Sequence, residues 1–291
     1  ASDVYKRQVQ HDDGTVDLNM DREFIPADRH KGHYNGKSIN RSPNVPDIPQ
    51  ADDGKPVIQQ AFALRKEVVD KEPLWAKELD VSDHVIQRRA EMMLAVDESL
   101  GKIISTLEEL NIRDNTVILF TSDNGYFFGE HGFAVERRMP YQESIRTPLI
   151  ASYPQWLKPG RSIDGRVVSV DLAATIMDLA GVEKPATIQG ESFLPLIMGK
   201  TKEIRDATFV EFYSHENPFP WTAKLDYRIV LQGQFKYIRW IRFEGMEELY
   251  DLESDPYEKF NLANQQDYEP VLEEMRSQLR SLQLKALGLD E

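Results

Sequence analysis

The hydrophobic period changes twice along this chain. Residues 1–80 show little periodicity: Pro43, Pro46, Pro49 and Pro56 crowd a stretch rich in Asp and Asn, which reads as a loop-rich segment following a surface. From 83 to 110 the apolar step becomes three and four, placing Ile86, Met93, Leu100, Ile104 and Leu107 on one stripe. That spacing predicts a helix with a core-facing side, capped by Ser82 or Asp83. Asp97 falls inside the stripe, where a buried carboxylate needs hydrogen-bonding partners. Val117-Ile118-Leu119-Phe120 is then a continuous apolar run between polar residues, the pattern of a strand covered on both faces in a parallel sheet. Leu149-Ile150-Ala151 predicts another short strand. Ser169 caps a helix over 171–180, with Leu172, Ile176 and Leu179 buried and Gly181 ending it.

Beyond about residue 201 the period drops to two. Strands are expected at Thr208–Tyr213, Tyr227–Leu231, Phe235–Ile241 and Glu248–Leu252, with Gln232-Gly233 as a hairpin signal. A helix from Tyr268 to about Leu284 lays Val271, Met275, Leu279 and Leu282 on one face, so a small antiparallel sheet under a C-terminal helix is expected. The organisation is therefore a loop-rich segment (1–80), an α/β portion (81–200) and an α+β portion (201–291).

Composition narrows the chemistry. Thirty-five Lys and Arg against 49 acidic residues give a net charge of −14, which argues against nucleic acid as a partner. Arg137, Arg138 and Arg146 still offer local positive charge for a small anion. With no cysteine, disulfides, thiolate catalysis and Cys-ligated zinc are excluded for this chain. No apolar run approaches the roughly 18 residues of a membrane span. The chain opens ASDVYKRQ, which lacks the features of an export signal and reads as a cut end.

The chemistry concentrates at the end of the apolar run. Asp123-Asn124-Gly125 sets a carboxylate and an amide oxygen side by side where a strand ends, and hard oxygen donors suit Ca²⁺ or Mg²⁺. Asp-Asn-Gly is also ordinary turn chemistry. Asp12-Asp13-Gly14 and Asp52-Asp53-Gly54 follow no apolar strand and read as polar turns. His30 and His33 read as a solvent-facing loop with no third ligand, and His11 receives no role. Phe219, Trp221 and Trp240 could line a sugar site or pack in a core or rim.

The segments after the strand settle the weighting. TSDNG is followed by Gly129-Glu130-His131-Gly132, Arg137-Arg138, Tyr141-Gln142-Glu143-Ser144-Ile145-Arg146-Thr147-Pro148-Leu149-Ile150, the helix at Asp171, and Glu248-Leu249-Tyr250-Asp251-Leu252 with Asp255-Pro256, Glu258 and Asn261-Leu262. In that order they resemble the formylglycine-dependent sulfatases of the alkaline-phosphatase-like superfamily over most of residues 83–265. The resemblance implies an α/β sandwich of helices around a mostly parallel sheet, plus the small C-terminal sheet. It implies Asp123 and Asn124 as ligands of a divalent cation, Ca²⁺ or alternatively Mg²⁺. Arg137 stands at the family's sulfate-binding Lys, with Arg138 the alternative because the loop runs about one residue long. Arg keeps the charge and a bidentate grip but cannot serve as a proton donor as Lys can.

The family makes its formylglycine nucleophile from the Cys or Ser of C/S-x-P-x-R, which this chain lacks; Ser152-Tyr153-Pro154-Gln155-Trp156 comes nearest and has no Arg. The expectation is a C-terminal fragment, inactive alone, of an enzyme hydrolysing sulfate esters on a sulfated small molecule or glycan, in the periplasm, lysosome or outside the cell. Rival readings are a phosphodiesterase or phosphonate hydrolase of the same superfamily and a non-catalytic sulfated-glycan-binding protein.

Overall fold

A computed structural model describes residues 8–10, 16–18, 24–45, 54–60, 83–133, 137–214 and 224–289. Two short strands, β1 (Gln8–Gln10) and β2 (Val16–Leu18), pair antiparallel. The long helix α1 (Asp83–Glu109) leads into β3 (Ile118–Thr121), and a one-turn helix α2 (Gln142–Ile145) precedes β4 (Leu149–Ser152). Then come α3 (Asp171–Leu179), α4 (Leu194–Ile197), the strands β5 (Ala207–Phe212), β6 (Tyr227–Gln232), β7 (Phe235–Trp240) and β8 (Glu247–Asp251), and α5 (Glu269–Ala286).

The C-terminal part forms as its alternation dictates. β5 to β8 make an antiparallel meander in sequence order, and Gly233 at φ 53 takes the first position of the two-residue turn between β6 and β7. β6 is central and buried on both faces. Val230, Tyr237 and Leu249 meet Leu272, Met275 and Leu279 of α5 on one face. Each of the three helix side chains contributes roughly 1.5–3 kcal/mol on burial. Tyr227, Ile229, Leu231, Ile238, Trp240 and Tyr250 form the other face and close over Phe127, Phe133, Met139 and Tyr141 from the loops after β3.

Several expectations change here. β3 pairs antiparallel with β4, and its residues are half-buried or exposed rather than covered on both faces. Among the described residues of the link between the strands, 122–148, there are two short helical turns, Glu130–Gly132 and α2, and no long helix of the kind that usually carries a parallel crossover. On α1 the only buried residue is Glu91, which accepts the Tyr34 N–H at 3.1 Å. Asp97 is exposed, and Met93 is 52% exposed. In α3, Ala174 and Thr175 are buried while Ile176 faces out. Ser169 makes no side-chain cap; Asp171 Oδ2 accepts the Val168 N–H instead and, with Oδ1, holds the Arg205 guanidinium. Gly181, at φ 66, ends that helix as its sequence predicts.

The first 80 residues also do more than follow a surface. Residues 24–45 are strapped to α1 by Arg88 Nε to the Phe24 carbonyl, an Arg29–Glu98 ion pair and an Arg41–Asp83 ion pair. His30 is buried, its Nε2 3.1 Å from Glu98 Oε1, whereas His33 is exposed as expected. Lys55, Val57 and Ile58 are fully buried in the core beneath the sheet. Asp12, Asp13, Asp52, Asp53, His11, Ser82, Phe219 and Trp221 lie outside the described residues.

Candidate functional site

β3 delivers Asp123, exposed, and Asn124, half-buried, to the turn that follows it. The Asn124 N–H donates to Asp123 Oδ1 at 2.9 Å, and Asn124 Nδ2 donates to the Gly125 carbonyl at 2.7 Å. That bond assigns Nδ2 as the donor and leaves Asn124 Oδ1 as the amide's acceptor. Among the described residues no donor reaches that oxygen or Asp123 Oδ2. Two uncommitted hard oxygens on adjacent residues are a fitting donor set for a Ca²⁺- or Mg²⁺-sized cation.

Gly125 explains the sharp exit. A Cβ there would lie 1.9 Å from the Glu143 carbonyl oxygen, so only glycine lets the two segments meet. Its N–H donates to the Ser144 carbonyl at 2.7 Å. Ser144 Oγ donates in turn to the Arg137 carbonyl. The turn carrying Asp123 and Asn124 and the segment carrying Arg137 are thus tied to one buried serine. Arg137 and Arg138 are both half-buried and engaged by neighbours. Behind the turn, the Arg89 guanidinium lies 3.7 Å from the Tyr126 ring centre and also faces Phe24 and Phe128; burial lowers its pKa.

The remaining matched motifs build a buried polar junction, which sequence reading did not foresee. His131 has φ 53, and its N–H donates to the Asn44 carbonyl at 2.8 Å. Asn44 Nδ2 sits 3.1 Å from His131 Nε2 and 2.8 Å from Glu143 Oε1. Burial pushes the Glu143 carboxyl up, but hydrogen bonds from His131 and Asn44 outweigh it and hold the group below its ordinary 4.5. Glu258 binds Lys236 through Oε1, accepts the Gln142 N–H through Oε2 at 2.7 Å, and offers its carbonyl to Lys55 Nζ. Next to them Glu248, fully buried, accepts from Tyr141, Trp240 and Tyr250. Trp240 is therefore a core residue and not a sugar platform.

His131, Glu143 and Glu258 bring potential ligand atoms within 4.8 Å of one another. Donors from Asn44 and Lys236 already stand among them, so the cluster acts as a junction between the site loops and the C-terminal sheet. One signal for it was legible: Lys236 shares a strand face with Ile238 and Trp240, an apolar face on which a charge must be paired.

The helices, the β3–β4 pair and the small antiparallel sheet make this an α/β domain, with Asp123 and Asn124 at a strand end tied through Ser144 to the segment that carries Arg137. The sequence model of the sulfatase family matches residues 23–182, and that of the N-sulphoglucosamine sulphohydrolase C-terminal region matches 129–285. The chain belongs to the sulfatase family. It is 38% identical over 194 residues to the N-acetylglucosamine-6-O-sulfatase of Bacteroides thetaiotaomicron, covering 66% of this chain and 34% of that protein. A solved structure of a protein in complex with its substrate D-glucosamine-2-N,6-O-disulfate superposes with a TM-score of 0.74 at 26% identity, over 94% of this chain and 65% of that one. The phosphonate monoester hydrolase of Agrobacterium radiobacter shares the fold, with a TM-score of 0.62 at 24% identity over 72% of this chain and 42% of that one. These neighbours bear out the expected α/β sulfatase-like fold class. The chain thus spans about a third of the first relative's length.

Proposed function

We propose that this chain provides the metal-binding turn and the oxyanion-binding arginine of a sulfuric ester hydrolase acting on a sulfated carbohydrate. The observation that carries this reading is the pair of uncommitted oxygens on Asp123 and Asn124, on a turn joined through Ser144 to Arg137. Asp123 and Asn124 hold the cation, Ca²⁺ or Mg²⁺. When bound, it supplies positive charge that stabilises the sulfate oxygens as charge develops. Arg137 grips sulfate oxygens through its planar fork and orients the ester; being always charged, it donates no proton to the leaving alcohol.

The chain has no cysteine and no C/S-x-P-x-R sequence, so no step through a formylglycine is assigned to these residues, and the isolated chain is expected not to turn over. An amino-sugar 6-sulfate is the substrate class favoured by the names of the sulfatase relative and of the bound disulfate. A location in the periplasm, in the lysosome or outside the cell goes with that reading. Among the described residues no helix is long and apolar enough to cross a membrane.

Calorimetric titration of the chain with CaCl₂ tests the metal turn. One saturable ion is expected, with a Kd on the order of 10⁻⁴–10⁻³ M for so open a site. Binding should disappear in Asp123→Ala and weaken in Asn124→Ala. An unchanged isotherm in Asp123→Ala would refute the assignment.

A further inference from the structure

We infer that Ser144 is a positioning residue that sets the spacing between the cation turn and Arg137, an inference that rests on the site reading above. Eleven residues, 126–136, separate Gly125 from Arg137 in sequence, and a loop of that length does not by itself fix where its ends lie. Ser144 does so with three polar groups. Its carbonyl accepts the Gly125 N–H at 2.7 Å, its hydroxyl donates to the Arg137 carbonyl, and its own N–H donates to the Tyr141 carbonyl at 2.9 Å. The side chain is 3% exposed, so water does not compete for these bonds.

The turn that carries Ser144 is itself anchored. The Gln142 N–H is held by Glu258, whose other carboxylate oxygen is on Lys236, so the C-terminal sheet fixes the serine and the serine fixes both halves of the site. Ser144 touches neither ligand. It acts by holding two binding elements at one distance, so that a cation on Asp123 and Asn124 and an anion on Arg137 favour each other.

Such coupling is reciprocal and measurable without turnover. Titrating the chain with CaCl₂ in the absence and presence of sodium sulfate should tighten Ca²⁺ binding about tenfold, within the usual range of site-to-site coupling. In Ser144→Ala the enhancement should fall below about twofold while Ca²⁺ alone still binds, and Ser144→Thr, which keeps the hydroxyl, should restore it. Full enhancement in Ser144→Ala overturns the inference and leaves the metal turn standing. Ca²⁺ binding that survives Asp123→Ala overturns the site reading and this inference with it. Hydrogen exchange on the unmutated chain reads the same coupling independently of any variant's folding: sulfate should slow exchange at the Gly125 N–H, and unchanged exchange overturns the inference.

Discussion

Replacing Lys236 by Met tests the buried junction most severely. Lys236 and Glu258 both have side-chain exposure of 0%, and their ion pair is the direct contact of the ammonium. Burial lowers the Lys236 pKa, and the Glu258 carboxylate opposes that shift. Met keeps most of the lysine's aliphatic volume, so the lost packing is small and the loss is chiefly electrostatic. What remains is a buried carboxylate that still accepts the Gln142 N–H and lies close to His131 and Glu143, and removing one partner of such a pair costs about 3–5 kcal/mol. Lys55 sets the lower end, because its Nζ already contacts the Glu258 carbonyl at 2.5 Å and can turn toward the carboxylate. The Lys236→Met/Glu258→Gln double variant removes the stranded charge but keeps an acceptor for Gln142, so it should recover about 1–3 kcal/mol of the loss. Urea unfolding at neutral pH, followed by far-UV circular dichroism, measures all three proteins. A loss below about 1 kcal/mol in Lys236→Met, or a double variant no more stable than the single, would show that the pair is hydrated and the junction argument wrong.

Two further perturbations follow from the same geometry. Gly125→Ala places a Cβ against the Glu143 carbonyl, so it should lower stability by about 1–3 kcal/mol and weaken Ca²⁺ binding at least tenfold; a variant with unchanged melting temperature and isotherm would contradict the close approach. Glu143→Gln should matter only where the carboxylate is ionised. Its folded pKa is depressed, so its stabilisation is present above the ordinary value of 4.5 and is lost as the pH falls through the lower folded value. The stability gap between the two proteins should therefore close on acidification, and a gap that widens in acid would reverse the sign of the argument.

Much of this was legible from local pattern. The four C-terminal strands fall within about a residue of their alternation, because a half-buried meander with a Gly turn is a short-range signal. The Asp123-Asn124-Gly125 turn was legible because an apolar run ends on it. The junction was not, because its partners are far apart in sequence: Lys55 and Glu258 are 203 positions apart, and Asn44 and Glu143 are 99 apart. Charged residues with distant partners read as solvent-facing until the fold brings them together. Helix α1 failed differently. Its stripe is genuine in spacing, but Met93 is over half exposed and Ile86, Leu100, Ile104 and Leu107 are only half-buried, so periodicity located a face without saying what covers it.

The most direct test of the assigned roles joins this chain to the N-terminal part of the Bacteroides thetaiotaomicron relative and follows sulfate release from glucosamine-6-sulfate, with an aryl phosphate diester as comparison. The active chimaera should prefer the sulfate ester. Asp123→Ala should lower kcat/KM at least about 100-fold and Arg137→Ala by a similar factor. A chimaera that hydrolyses the sulfate ester equally well with Asp123 and Arg137 both replaced would contradict the roles assigned to this chain.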